Sequence, residues 1–384
     1  MIFSVLDELR EESFMPVRDS LRRVLCQLGG NSPKAGLRIR RLLLSLAAAA
    51  AATGTLAGGF PGADAQTPKA VTLYVSLDEP YAKPILADLE RRTGLKLRVI
   101  YDTEANKSRG LAQKILAERR RPRADVFWSS EVLQMVRLAE AGALEVYRPP
   151  AAEDIPQAYR DPEGRWNGFG ARFRILVFNT KQLAARNERP SGDLNEFLKP
   201  KWSRRFALSN PLFGTATTEA AALSQLAGDP AMKSFYAGLL ANGARVVDGN
   251  SVAADLVARG VVAAALTDTD DALIRIDRGA PLRVVYPSLA GRGSLLIPNT
   301  AGLVVGGPNP MGGRKLLDAL VTPETELLLA ALPSRQLPLH RSLKQRLPTP
   351  VAPLGRIPRA PVRLQELAKG FPEVERILRE LFLR

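Results

Sequence analysis

Val71-Thr72-Leu73-Tyr74-Val75-Ser76-Leu77-Asp78-Glu79-Pro80-Tyr81 passes directly from a β-branched, apolar run into a helical pattern. The run Val71–Val75 predicts a buried strand, and the pattern from Glu79 predicts a helix that ends at Gly94. Open α/β proteins are built by repeating a strand and a helix, and they hold ligands where strand ends meet helix N-termini. The stretch therefore predicts an α/β fold with a ligand site at a sheet edge.

The same alternation continues along the chain. Residues 95–100 and 124–128 predict two more strands, and residues 108–120 and 131–141 predict the helices that follow them. This order implies a mainly parallel sheet with helices on its faces. Other predicted elements are a strand over 174–179, a second α/β series over 206–296, a strand over 301–305, helices over 314–320 and 324–331, and a last helix over 374–383.

The N-terminal residues are typical of an export signal. Arg38–Arg41 precede the apolar Leu42–Leu46 and an alanine-rich stretch, and Ala63-Asp64-Ala65 is a small-x-small cleavage site. Cleavage after Ala65 would place the mature protein in the periplasm. It would also remove Cys26, the only cysteine, so neither a disulfide nor a thiolate ligand is expected.

Length and charge narrow the class of protein. A chain of 384 residues with 46% apolar side chains can bury a large core and form two or three domains. After cleavage it would keep 46 basic and 33 acidic side chains, a net charge of +13. Because no nucleic-acid motif accompanies this charge, we interpret it as general attraction to anions and predict no nucleic-acid partner.

Three polar turns follow the predicted strands of the first half. They are Ser76–Tyr81, Asp102–Ser108 and Ser129–Glu131. Each can be explained as a helix cap or a solvated loop, since Ser and Asp side chains bond the free N-H groups of a first turn. Because parallel strands end at one sheet edge, the three turns together predict a polar rim.

Three similar turns occur in the second half. Asn210–Thr218 and Gly249–Ser251 lead into helices, where free N-H groups and hydroxyls could bind an anion. The third turn, Thr267–Asp271, holds three carboxylates. Capping explains two of these acids, but three close acids repel one another unless a cation, a positively charged ligand group or water lies among them.

Catalytic signatures are weak. The single histidine, His340, lies in a proline-rich region away from every polar turn, so its expected role is structural. The sequence contains no P-loop, dinucleotide fingerprint or zinc spacing. We therefore predict no enzymatic activity and no cofactor, with a carboxylate-dependent hydrolase as the alternative from another class.

With these motifs in view, the chain resembles periplasmic substrate-binding proteins of ABC importers, specifically the ferric-iron-binding branch. The resemblance covers about residues 71–345 and depends on Tyr74–Tyr81, Tyr101–Glu104 and Ala124–Glu131. Phe213–Thr215 and Asn299–Gly302 add weaker support.

The resemblance implies a two-lobed periplasmic-binding-protein fold, type II-like, in which each lobe is a mainly parallel sheet flanked by helices. Hinge strands near 172–180 and 296–304 would join the lobes. Residues 1–65 would be an N-terminal extension with the signal peptide. Lobe 1 would comprise 66–172 plus 300–345, and lobe 2 would comprise 173–299 plus 346–384.

The resemblance also assigns roles. Asp78-Glu79 lie where the family often places a metal-binding histidine or acid, and Ser130-Glu131 lie near its carboxylate ligand. Gly214-Thr215 and Asn250 fall at its turns for a synergistic anion. Asp270-Asp271 fall where many members have a pair of metal-binding tyrosines, and this departure removes the phenolates. Carboxylate oxygens still suit ferric ion, calcium or magnesium.

The predicted function is a monomeric receptor that delivers a small ligand to an inner-membrane ABC permease. The cargo is either ferric ion with a synergistic anion, or a small organic anion or zwitterion such as an aminoalkylphosphonate or a phosphorylated sugar. The predicted ligand-binding residues are Ser76, Asp78, Glu79, Thr103, Glu104, Ser129, Ser130, Glu131, Gly214, Thr215, Thr217, Asn250, Ser251, Asp268, Asp270 and Asp271. The predicted metal ligands are Asp78, Glu79, Glu131, Asp270 and Asp271.

Overall fold

The first lobe is built around a mixed sheet. The computed structural model describes residues 70–102, 108–349 and 351–383, so Thr103, Glu104 and the signal-like N-terminus lie outside the described residues. Strands β1, β2 and β3 are parallel, and β9 joins β3 in the antiparallel direction. These strands are β1 (Val71–Val75), β2 (Leu97–Tyr101), β3 (Val126–Ser129) and β9 (Leu296–Leu303).

Helices cover this first sheet. They are α1 (Glu79–Thr93), α2 (Arg109–Ala117), α3 (Leu133–Glu140), α9 (Pro310–Leu320) and α10 (Pro323–Ala331). Helix α1 begins after Asp78 and ends at Gly94, which has a φ of 67°, a conformation that glycine adopts without steric cost.

The second lobe repeats the plan with a second mixed sheet. Strand β5 pairs in parallel with β6 and β7, while β4 runs antiparallel to β7 and β8. These strands are β4 (Asn167–Asn179), β5 (Phe206–Ser209), β6 (Arg245–Val247), β7 (Ala264–Asp268) and β8 (Leu282–Val285). The helices are α4 (Thr180–Ala185), α5 (Gly214–Ala227), α6 (Asp229–Ala241), α7 (Asn250–Ala258), α8 (Thr269–Asp277) and α11 (Leu367–Phe382).

Strand β4 belongs to both sheets. Its first half pairs with β9 as far as Phe173, and its second half pairs with β7 from Arg174 onward. All 13 of its residues are buried. The sequence predicted only the second half, over 174–179, because glycines at 168 and 170 and the arginines at 172 and 174 weaken the strand signal.

The crossing strands confirm the two-lobed α/β fold, although the sheets are mixed rather than mainly parallel. Both predicted hinge segments, 172–180 and 296–304, overlap strands that pass through the junction of the sheets. The lobe boundaries proposed from the sequence stay a prediction.

The last helix, α11, packs against both lobes. It lies on α5 and α6 of the second lobe and on α3 of the first. Val374, Ile377 and Leu378 are buried, as their spacing predicted, whereas Leu381, predicted for the same face, is only partly buried. The helix begins at Leu367, earlier than the predicted 374, and continues through Pro372. Among the described residues, no helix combines the length and hydropathy that a membrane span requires.

Candidate functional site

Polar side chains from both lobes meet at one cavity of about 30 Å³. Its lining includes one residue of the crossing strand β4, Arg172. The first lobe contributes Leu77, Asp78, Tyr81 and Ser130, and the second contributes Thr215, Asn250, Asp268, Asp270 and Asp271. The structure thus brings together turns that are almost 200 residues apart in the chain.

Each turn reaches the cavity because it follows a strand end or begins a helix. Asp78 precedes α1, and Ser130 follows β3. Thr215 lies in the first turn of α5, and Asn250 begins α7. Strand ends and helix N-termini converge in this way at the ligand sites of open α/β sheets.

The three acids of the 267–271 turn are close together and buried. Asp268, Asp270 and Asp271 each place one carboxylate oxygen within 4.8 Å of those of the other two. Asp268 ends β7, and the other two lie in the first turn of α8, where the helix dipole favours negative charge. Oxygen atoms at this spacing can share a hard cation.

Two buried arginines pair with these acids. Arg172 donates from Nε to Oδ2 of Asp270 at 2.9 Å, and Arg174 donates from Nη1 to Oδ1 of Asp268 at 2.9 Å. Arg174 also donates from Nη2 to Oε2 of Glu219 at 3.0 Å. The sequence prediction missed both arginines, because their partners lie more than 40 residues away along the chain.

The ion pairs of Arg174 change its pKa. Burial acts to lower the pKa of Arg174, but the charges of Glu219 and Asp268 and their hydrogen bonds raise it overall. Burial also raises the pKa of Glu219, and Arg174 offsets only part of that effect. Arg174 therefore stays a fixed positive charge behind the acidic turn.

A β-bulge in β4 determines where Arg172 points. Opposite residues of an antiparallel pair share a face of the sheet, and Phe169 lies opposite Asn299 while Arg172 lies opposite Ile297. Arg172 therefore lies on the same face as Phe169, although side chains three residues apart in an unbroken strand point to opposite faces. The extra residue is Gly170, whose φ is +43°.

The turns predicted as anion cradles bind Asp268 in this structure. Oγ1 of Thr215 donates to Oδ2 of Asp268 at 2.7 Å, and Nδ2 of Asn250 donates to the same oxygen at 3.0 Å. Oδ1 of Asn250 accepts from Ser209 and Arg174. These polar groups therefore orient a carboxylate that faces the cavity.

Tyr81 is a lining residue that the sequence prediction did not include. It is part of the first turns of α1, and its proximity to the acidic turn could not be inferred from local sequence. Burial raises the pKa of Tyr81, and the charges of Asp271, Asp270 and Asp78 raise it further. A phenolate forms here only if a cation compensates for that negative field.

Glu131, a predicted metal ligand, does not line the cavity. Helix α3 begins at Leu133 rather than Glu131, so the Glu131 carboxylate accepts from the backbone N-H groups of Leu133 and Gln134 as a cap. Its Oε2 also accepts from Oγ1 of Thr218 at 2.7 Å, which links the two lobes. Burial raises the pKa of Glu131 despite these hydrogen bonds.

Glu79, the other predicted metal ligand that does not line the cavity, lies on the surface of α1. Its side chain is 50% exposed and pairs with Lys83 at 2.9 Å. The remaining predicted residues that do not line the cavity are Ser76, Ser129, Gly214, Thr217 and Ser251. Ligand contact by any predicted residue stays a prediction.

A third arginine, Arg275, lies near the acidic turn. Its Nε donates to Oδ1 of Asp255 at 2.7 Å, and its Nη1 lies 3.8 Å from Oδ1 of Asp271. The cavity lining itself carries four carboxylates and one guanidinium. The field at the cavity is therefore negative and favours a cationic guest over an anionic one.

Comparison with known proteins agrees with this architecture. Residues 71–331 match the family described as bacterial extracellular solute-binding protein. The iron uptake protein A1 of Synechocystis sp. (strain ATCC 27184 / PCC 6803 / Kazusa) is 24% identical over 270 residues, covering 68% of this chain and 73% of its own. The major ferric iron-binding protein of Neisseria meningitidis serogroup A is 27% identical over 203 residues, covering 51% of this chain and 57% of its own.

Solved structures share the fold. Iron-bound HitA from Pseudomonas aeruginosa superimposes with a TM-score of 0.71 at 22% identity, covering 82% of this chain and 99% of HitA. Because the family match spans more than half of the sequence, the chain belongs to the bacterial extracellular solute-binding protein family. That family is described by the binding of solutes and is not a family of enzymes.

Proposed function

We propose that this protein is the periplasmic component of an ABC-type import system and captures ferric ion between its two lobes. The observation that carries the proposal is the small cavity lined by Asp78, Asp268, Asp270 and Asp271. The names of the relatives, an iron uptake protein and a ferric iron-binding protein, support the same cargo.

The donor set suits a hard trivalent cation. Carboxylate oxygens of Asp268, Asp270 and Asp271 converge from one turn, and Asp78 and Tyr81 face them from the other lobe. Binding of ferric ion would draw Asp270 away from Arg172, and that guanidinium would then pair with an accompanying anion. Glu79 and Glu131 have no part in this set, because neither lines the cavity.

The size of the cavity favours an ion over an organic guest. A volume of about 30 Å³ has room for roughly two water molecules. An aminoalkylphosphonate or a phosphorylated sugar would require the lobes to stand further apart than they do here. Closure around a metal ion needs no such change.

Delivery then requires the lobes to separate at the membrane. We propose that a permease driven by a cytoplasmic ATPase receives the cargo, that the receptor acts as a monomer, and that it performs no turnover chemistry. The contact between Thr218 and Glu131 joins the lobes, so its loss would accompany opening.

The test is a titration of purified, ligand-stripped protein with ferric citrate and, separately, with 2-aminoethylphosphonate. Of the two compounds, we expect only ferric citrate to raise the melting temperature of the protein, because a ligand that binds only the folded state stabilises it. Citrate without iron is the control. A melting shift with 2-aminoethylphosphonate and none with ferric citrate would overturn the ferric assignment.

A small zwitterion remains the second candidate because of the arginines. Arg172 and Arg174 already compensate Asp270 and Asp268, so a guest with its own anionic group could share these guanidinium groups. Its ammonium group would then lie near Asp271 and Asp78. The same titration separates this candidate from ferric ion.

A further inference from the structure

The single histidine of the chain contacts a buried glutamate, and neither residue lines the cavity. His340 and Glu326 have fully buried side chains, and Nδ1 of His340 lies 2.7 Å from Oε2 of Glu326. Nε2 of His340 lies 3.2 Å from the carbonyl oxygen of Ala151. Both ring nitrogens therefore face oxygen atoms.

The hydrogen-bond partners determine the charge of this histidine. The Ala151 carbonyl can only accept, and the Glu326 carboxylate already accepts from the backbone N-H groups of Leu339 and His340. Beside an ionised Glu326, a neutral imidazole would leave one ring nitrogen facing an acceptor without a proton, whereas an imidazolium satisfies both contacts. A neutral ring that accepts from a protonated Glu326 would satisfy them as well, but the backbone N-H groups of Gly170, Leu339 and His340 that donate to Glu326 favour its ionised form.

Two other charged groups lie near His340. Asp154 lies on the neighbouring 3₁₀ helix Pro150–Asp154, and Arg341 follows His340 in the chain. Arg341 donates to the carbonyl oxygens of Glu153 and Asp154. Of these groups, Glu326 is the one within hydrogen-bond distance of the ring, 2.7 Å from Nδ1.

Glu326 also holds the bulge of β4. Its Oε1 accepts from the backbone N-H of Gly170 at 2.7 Å. The Gly170 carbonyl accepts from Nδ2 of Asn299, and Oδ1 of Asn299 accepts from Nη2 of Arg172 at 3.0 Å. A continuous set of hydrogen bonds thus joins the histidine to an arginine of the cavity.

We propose that His340 is an imidazolium whose ion pair with Glu326 fixes the Gly170 bulge and thereby positions Arg172 against Asp270. His340 and Glu326 are positioning residues, since neither lines the cavity. Arg172 lines the cavity whichever cargo binds there, so this positioning role is independent of the ferric assignment.

The first experiment measures the charge of His340 directly. Because the chain has one histidine, ¹⁵N-histidine labelling of protein purified with a histidine-free tag gives a single pair of ring signals. We expect both nitrogens to carry protons at pH 7. Ring signals of a neutral tautomer at that pH would overturn the proposal. This measurement needs no variant.

The second experiment tests positioning with a double-mutant cycle. Affinity is measured with ferric citrate, or with 2-aminoethylphosphonate if that is the compound that wild type binds. We expect Glu326→Gln to weaken binding about ten-fold, as removal of an outer-shell partner does at metal sites. In the Arg172→Ala background the same change should have no further effect.

The controls separate positioning from general destabilisation. Glu373→Gln, on the exposed surface of α11, should leave affinity unchanged. An equal loss from Glu326→Gln in both backgrounds would overturn the positioning role. If that variant does not fold, His340→Gln replaces it in the same cycle, with the same criterion.

Discussion

Arg172 donates to Asp270 at 2.9 Å and so joins the strand shared by both sheets to the first turn of the acidic helix. The same guanidinium donates to the carbonyl oxygen of Ser130 in the first lobe. One side chain therefore contacts both walls of the cavity and compensates a buried carboxylate. Loss of a single partner from a buried pair is costly because the remaining charge stays out of water.

Replacement of Arg172 should therefore lower stability. We expect Arg172→Ala to reduce the free energy of unfolding by about 3 kcal/mol, as measured by urea denaturation of the ligand-free protein. Arg172→Lys keeps the charge but loses the planar fork, so its loss should be smaller. Equal stability of wild type and Arg172→Ala would show that the ion pair contributes nothing.

Asp270 and Glu79 both lie close in sequence to helix N-termini, but their replacement should change the affinity for ferric ion by different amounts. Asp270→Asn should weaken ferric binding on the order of 100-fold, because the charge and number of carboxylate ligands set the affinity for hard cations. Glu79→Gln should leave binding unchanged, since Glu79 is half-exposed and pairs with Lys83. Isothermal titration with ferric citrate measures both, and a large loss from Glu79→Gln would contradict the described site.

Tyr81 should contribute a phenolate once the metal is bound. Ferric titration of wild type should then produce a visible charge-transfer band that Tyr81→Phe lacks. Because burial and the nearby acids raise the pKa of Tyr81, its ionisation releases a proton and ferric affinity should fall as pH falls. A band of equal intensity in Tyr81→Phe would exclude this ligand.

The bulge glycine should not tolerate a side chain. Gly170 has a φ of +43°, and a Cβ there would lie 2.8 Å from Cδ1 of Leu329. We expect Gly170→Ala to lower the free energy of unfolding by about 1–3 kcal/mol. Gly370→Ala is the matched control, because its Cβ would meet nothing within 4 Å inside α11, and it should stabilise the protein by up to about 1 kcal/mol.

Glu131 should make stability depend on pH. Burial raises the pKa of Glu131 above its unfolded value of 4.5, so the folded protein holds this proton more tightly than the unfolded chain does. Its contribution is fully present below pH 4.5 and is lost as pH rises through the folded pKa.

The neutral variant Glu131→Gln should therefore gain stability relative to wild type as pH increases from 4 to about 8. Urea denaturation across this range measures the difference. Glu373→Gln is the control of opposite sign, since the hydrogen bond and charge of Arg376 lower the pKa of the exposed Glu373, and this variant should not gain stability relative to wild type as pH increases. A constant difference between Glu131→Gln and wild type would refute the assignment.

Much of the architecture could be predicted from the sequence. The alternation of apolar strands with amphipathic helices indicated an α/β fold, and polar turns at strand ends indicated where a ligand would bind. Asp78, Ser130 and Asp270 line one cavity because parallel strands end on the same side of their sheet. These features depend on local pattern and on general rules of topology.

The electrostatics of the site could not be predicted in the same way. Arg172 and Arg174 face the acids because a bulge changes the alternation of β4, and nothing in the local sequence reveals the register of that strand. Glu131 lies outside the cavity lining because its helix begins two residues later than its pattern suggested, and its carboxylate accepts from the first N-H groups of that helix.

The continuity of β4 has a mechanical consequence. Because the backbone of β4 belongs to both sheets, it stays continuous when the lobes separate and must twist in place. The twist falls between Arg172 and Arg174, the residues that carry the two guanidinium groups. The joint that bends is then also the joint that supplies positive charge to the guest. Release of the cargo and rearrangement of the guanidinium groups near it would then occur in the same movement.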